Sequence, residues 1–173
     1  RDNQTGDIFI MIRHAEIQDL TAIEAVYAHA RKFMAETGNP NQWGKNHPPR
    51  ATLENAIAVR KLYVLEEDGA IHGSFYFAIE EEPNYRKIDD GSWLSDVPYG
   101  VIHMVASDGT IHGFLQQIVA FCEQQTKHLR IDTHHDNKVM QHVITKNGFS
   151  RRGIIYLVNG DGSARIAYEK LGE

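Results

Sequence analysis

The stretch from Tyr99 to Cys122 constrains this chain more than any other. Tyr99 to Ser107 is an apolar, partly β-branched run and reads as a strand. It leads directly into Gly109-Thr110-Ile111-His112-Gly113, after which Ile111, Phe114, Leu115, Ile118, Val119 and Cys122 fall at i, i+3, i+4, i+7, i+8 and i+11. That period makes a single apolar stripe, the mark of a helix laid on a sheet. A strand that turns through glycines into such a helix commits the chain to a mixed α/β architecture. It also leaves the first N–H groups of the helix, at the positive end of the helix dipole, aimed into the turn. This is an anion site suited to a pyrophosphate, and glycines at 109 and 113 let a phosphate approach the backbone. Two glycines before a helix are also ordinary turn chemistry. The Walker pattern and the dinucleotide glycine fingerprint are both absent, which removes two common phosphate-binding classes.

The remaining elements fall around this unit. Ile8, Ile10 and Ile12 alternate with Phe9, Met11 and Arg13 in a first strand. Leu20, Ile23, Val26, Tyr27, Ala30 and Met34 repeat at helical spacing until Gly38 and Pro40 stop the helix. Gly38 to Arg50 is a loop containing Trp43, and Ala51 to Lys61 forms a short second helix. Strands Leu62 to Glu66 and Ala70 to Glu80 meet at Asp68-Gly69, a hairpin signal. Glu81 to Val97 is a loop with room for a short helix. Beyond the glycine turn come a strand (Leu129 to His134), a helix (Lys138 to Asn147) stopped by Gly148, and a hairpin of Gly153 to Val158 with Ala164 to Lys170. The predicted order is β-α-α-β-β-β-α-β-α-β-β, an α/β fold on a mixed sheet. We expect one domain over residues 8–171, with 1–7 an N-terminal tail.

Length and charge narrow the function. A chain of 173 residues is about one domain's worth, with 42% hydrophobic and 24% charged residues. The formal charge is −5 and no dense Lys/Arg block occurs, so neither a nucleic-acid nor a membrane surface is expected, and the balance mildly favours a cationic substrate such as an amine. The single cysteine, Cys122, rules out an intramolecular disulfide and a multi-cysteine metal site. A cytoplasmic setting follows as the expectation, since no apolar run is long enough to span a bilayer and no signal segment opens the chain.

A second segment joins the first. Asp136-Asn137 offers an N-cap to the helix that follows, and Gly148 its C-terminal stop before Phe149. Together with the strand, glycine turn and amphipathic helix, the "Asp-Asn … Asn-Gly-Phe" unit resembles the GNAT superfamily of acyl-CoA N-acyltransferases, over about Ile8 to Leu171. The family's loop pattern of Gln or Arg, two residues, Gly, one residue, then Gly or Ala lands on Thr110, Gly113 and Leu115, so only the central glycine matches. Ile144 stands where many members carry a tyrosine that protonates the leaving thiolate.

The resemblance implies acetyl transfer from acetyl-CoA directly to an amine of a small molecule or protein, without a metal. It implies a cofactor site made by Met104, Val105, Ala106 and Ser107 along the fourth strand, by Gly109, Thr110, Ile111, His112, Gly113 and Phe114 around the turn, and by Asn137, Met140 and Gln141. Relatives often pair through edge strands, so a homodimer is an expectation. The departures at Leu115 and Ile144 keep open a non-catalytic domain that senses acyl-CoA.

Removing the amine's proton needs a base, and the thiolate an acid. His103 titrates in the right range; by strand alternation it shares a side with Val101 and Val105, where it could instead be a core histidine. Tyr156, in a strand expected to border the acceptor cleft, is the second catalytic candidate. Trp43 is a candidate acceptor-pocket wall. His134 and His135, with Asp132 and Asp136, invite a metal reading, but strand alternation would put the two histidines on opposite sides. Glu66 and Glu67 read as the flanks of a turn, and Glu80, Glu81 and Glu82 as a solvated strand end.

Overall fold

The computed structural model describes residues 10–172, so Ile8 and Phe9 of the expected first strand, and the tail before them, lie outside the described residues. The strands are β1 (Ile10–His14), β2 (Leu62–Glu67), β3 (Ala70–Ile79), β4 (Gly100–Ser107), β5 (His128–Thr133), β6 (Ser150–Tyr156) and β7 (Ala164–Leu171). The helices are α1 (Leu20–Glu36), α2 (Arg50–Ala58), α3 (Phe114–Cys122) and α4 (Lys138–Lys146). All seven strands form one sheet in the order β1-β2-β3-β4-β5-β7-β6. β4 and β5 run parallel, and every other neighbouring pair is antiparallel. The predicted element order holds, and the fold is mixed α/β. Among the described residues, no helix is long and apolar enough to cross a membrane.

Helices cover both faces, which is why Leu62 to Leu65 are buried without a polar alternate. Leu62 and Val64 face α1 and α2, against Ile23, Val26 and Leu53. Tyr63 and Leu65 face the other way, into a core with Leu115, Ile118, Cys122 and Ile144 from α3 and α4. The apolar stripe predicted for α3 is buried, but the helix starts at Phe114. Gly113 is its N-cap, in the left-handed conformation at φ 65°. Ile111 is buried ahead of it, in the turn.

The second helix, α2, ends at Ala58, short of the expected Lys61, and two strands also depart from expectation. β5 ends at Thr133, which places His134 outside the strand. β6 begins at Ser150, immediately after Phe149 buries itself, and ends before Val158, which is exposed. The long segment between β3 and β4 holds the expected short helix, a 3-10 turn at Pro83–Tyr85. An arginine straps this segment to the sheet. The Arg130 guanidinium lies 4.0 Å from the ring centroids of both Trp93 and Tyr99. It donates to the Ser95 carbonyl at 2.6 Å and to Glu169 at 2.8 Å, and Glu169 accepts in turn from the Leu94 N–H and pairs with His128.

Candidate active site in the gap between the fourth and fifth strands

β4 and β5 are paired only at Gly100–Leu129 and Val101–Arg130, and beyond these two rungs they part. On its other side β4 changes register against β3 between Ser74 and Tyr76. Met104 sits at this irregularity with φ 53°, a conformation that costs a side-chain-bearing residue on the order of 1 kcal/mol. Its carbonyl accepts the Tyr27 hydroxyl at 2.6 Å, so α1 grips the irregularity. Alternation breaks here. Val101 packs with the Tyr85 and Ile155 cluster on one face, whereas Val105 joins Ile102 on the opposite face. The expectation that His103 shares a side with both valines is therefore corrected: the extra residue flips Val105 away, and the His103 ring sits tilted beside those of Tyr76 and Tyr85.

The parted strands open two adjoining cavities, of about 770 and 360 Å3, with Met34, Val105, Asn137 and Met140 lining both. The smaller is walled by Ala106 and Ser107 and by the turn from Gly109 to Phe114. In that turn the Gly109 N–H is taken by Ser107 Oγ and the Thr110 N–H by Asp108 Oδ1. The N–H groups of Ile111 to Gln116 have no protein acceptor among the described residues. The free donors thus begin two residues beyond the start of the cradle expected over Gly109 to Phe114, and the first turn of α3 adds its orphan N–H groups to them. Asn137 caps α4, its Oδ1 accepting from the Met140 N–H at 2.9 Å while its amide donates to Gln42. Ile144 is fully buried in the core and lines neither cavity, so α4 offers no proton donor to either.

The larger cavity holds the titratable groups. Nε2 of His103 donates to Glu82 at 3.0 Å, and Nδ1 lies 3.8 Å from Asp132. Asp132 accepts from the Tyr85 hydroxyl at 2.7 Å. Burial pulls the His103 imidazole down, but the Glu82 hydrogen bond and the charges of Asp132 and Glu82 outweigh it and hold it above its ordinary value. Burial pushes the Glu82 carboxyl up, and the His103 hydrogen bond and charge prevail, leaving it below the usual carboxylate range. Trp43 lies against Tyr27 and lines the same cavity.

Glu82 was unreadable from its neighbours. It follows two other glutamates, yet its backbone N–H donates to the Tyr99 hydroxyl and its side chain caps the 3-10 turn, which aims it inward. Gln42 was also missed. Its Oε1 accepts from Asn39 and Asn137, each at 2.9 Å, and from Thr133 at 3.4 Å, tying the α1–α2 loop to β5 and α4.

Two predicted site residues lie elsewhere. Gln141 lines neither cavity and donates to the His134 and His135 carbonyls. Tyr156 also lines neither, because β7 intervenes between β5 and β6 and carries it to the sheet edge, near Lys87. His134 and His135 are not on opposite sides as strand alternation required. Beyond the strand end their rings stack at 4.2 Å beside Asp136. The Nδ1 atom of His134 already accepts the Asp136 N–H.

No family model matches the sequence, and no curated protein is a significant match. Solved structures are similar along its whole length. A crystal structure of a GNAT-family acetyltransferase from Streptococcus agalactiae 2603 is 27% identical, with a TM-score of 0.85 over 96% of this chain and 99% of that one. The chain has the fold of the GNAT-family acetyltransferases. Two more distant GNAT-like structures share the fold. One, a GNAT-family acetyltransferase from Listeria monocytogenes 4b F2365, is 17% identical, with a TM-score of 0.68 over 95% of this chain and 96% of that one. The other, yncA of Salmonella typhimurium, described as a candidate acetyltransferase with its cofactor acetyl-CoA, is 16% identical, with a TM-score of 0.59 over 95% of each chain. Within this GNAT frame the chain is an acyltransferase, and its parted strands, glycine turn and capped α4 line the two adjoining cavities.

Proposed function

We propose that the chain transfers the acetyl group of acetyl-CoA directly to a primary amine, with His103 as the base. The observation that carries this reading is that two cavities adjoin at the β4–β5 gap, sharing Met34, Val105, Asn137 and Met140. A cradle of free N–H groups lies at one end and a half-buried imidazole–carboxylate pair at the other. Acetyl-CoA supplies an activated acyl thioester. The N–H groups of Ile111 to Gln116 would hold its pyrophosphate, and the edge of β4 from Met104 to Ser107 would flank its pantetheine arm; one structure of the same fold is described with acetyl-CoA as its cofactor.

His103 takes the proton that an ammonium must lose before it can attack, and Glu82 stabilises the imidazolium that results. Asp132 and Glu82 favour an incoming cation over a neutral ligand. An acylated cysteine has no place in the scheme. Cys122 is wholly buried in the core, and burial pushes its thiol far up. Burial of Ile144 favours one other reading, an acyl-CoA sensor without turnover.

Titration calorimetry with acetyl-CoA, on the wild type and on Thr110→Glu, tests the cofactor end. Thr110 is exposed in the turn, so a glutamate there adds repulsion without the backbone strain that a substitution at Gly113 would bring. Micromolar binding that weakens at least about tenfold in the variant is expected, from one unfavourable charge contact worth roughly 1.4 kcal/mol. Absence of wild-type binding would end the acetyltransferase reading. Binding without amine-dependent thiol release would leave the sensor.

A further inference from the structure

Arg165 lies on β7 and lines the larger cavity at 7% exposure, yet forms no ion pair among the described residues. An arginine that buried is almost always matched by a carboxylate, because the guanidinium keeps its charge and loses its hydration. Burial here lowers its pKa, only partly offset by the more distant charges of Asp132 and Asp161. The guanidinium is nonetheless held firmly. Nη1 donates to Ser163 Oγ at 3.0 Å and to the Ala164 carbonyl at 2.9 Å, and Nη2 donates to the Gln42 carbonyl at 3.3 Å. What remains is the Nε–H and the second Nη2–H. The Nε–H lies on the same edge of the guanidinium as Nη2, and neither remaining donor has an acceptor among the described residues. Such an edge matches the two oxygens of a carboxylate.

Its placement relative to the proton-accepting group is set by sheet register. Asp132 pairs with Ala167, so Arg165, two residues before Ala167 on the same face, is the diagonal neighbour of Asp132. Diagonal neighbours lie roughly 7–8 Å apart at the backbone. Asp132 is in turn the residue 3.8 Å from Nδ1 of His103. One face of the cavity therefore presents a cation site (Glu82, Asp132), a base (His103) and an unmatched guanidinium (Arg165), all within the span of a small molecule.

We infer that the acceptor is a zwitterion, a primary amine bearing a carboxylate a few bonds away, with Arg165 clamping the carboxylate while His103 deprotonates the ammonium. This rests on the acetyltransferase reading for the reaction, but not for the binding site, and the two are separable by experiment. Acceptor binding is measured by calorimetry on protein saturated with CoA, using the α-amino acids, β-alanine and the matching carboxamides. Turnover is measured on the same compounds by release of CoA thiol from acetyl-CoA.

At least one acid should bind and react roughly 100-fold better than its amide, and Arg165→Gln should raise the KM of that acid by about the same factor while leaving its amide within about twofold. Amides that match or exceed every acid in the wild type would overturn the inference without any variant. So would an Arg165→Gln protein that binds CoA normally and keeps the wild-type preference. Acids that bind selectively through Arg165 but release no thiol would uphold the clamp and sink the acetyltransferase reading.

Discussion

His103 is held between two carboxylates, and each neighbour moves its titration the same way. Its raised pKa makes it a stronger base but requires deprotonation first, so kcat/KM should rise with pH through a value above the ordinary 6.5. His103→Gln should lower kcat by about 100-fold or more, the usual worth of general base catalysis. Glu82→Gln removes the larger of the two carboxylate effects, so the acid limb should move to lower pH, which a pH–rate profile measures directly. Stability carries its own sign. The depressed Glu82 pKa gives stabilisation that is present above the unfolded carboxyl value and lost as pH falls through the folded one. The raised His103 pKa gives stabilisation that is present below about 6.5 and lost as pH rises through the folded value. The pair therefore contributes most in mild acid, and the melting-temperature loss in Glu82→Gln should be greater near pH ~5.5 than near pH ~9. His103 and Trp43 could be singled out from sequence because residue type and strand position suffice for a candidate. Glu82 could not, since three consecutive glutamates look alike until the Tyr99 hydroxyl fixes the backbone of one of them.

At the scale of elements, the site depends on segments being pinned where the sheet gives no ladder. The strap at Arg130 holds the segment between β3 and β4 to β5 and β7, and through that segment it positions Glu82. Arg130→Ala leaves Glu169 buried beside His128 without its guanidinium, and should cost about 3–5 kcal/mol in denaturant unfolding. Strand and helix periods predicted β2, β3, α1 and α3 because these elements bury whole faces. β4 and the last hairpin depart from these simple periods and orders. Alternation assumes an unbroken pleat, and a non-glycine residue at φ 53° has no signature in a run of apolar residues. Tyr156 went to the wrong side of the site for a different reason. Element order does not say that β7 inserts between β5 and β6, and that insertion is what brings Arg165 into the cavity in its place.

Across the whole molecule, a seven-stranded sheet is interrupted once, and the chemistry collects at the interruption. Helices α1 and α2 close one face, α3 and α4 the other, and the gap between β4 and β5 lies between a cradle of backbone donors and a half-buried acid–base pair. Direct transfer needs both substrates in that gap together. The most direct measurement is therefore the initial rate of CoA thiol release from acetyl-CoA, with acetyl-CoA and an amino acid acceptor varied against each other. The account predicts release that requires the amine, double-reciprocal lines that intersect, and near-complete loss in His103→Gln. Amine-independent release, parallel lines indicating an acyl-enzyme, or no release from a protein that binds acetyl-CoA would contradict it.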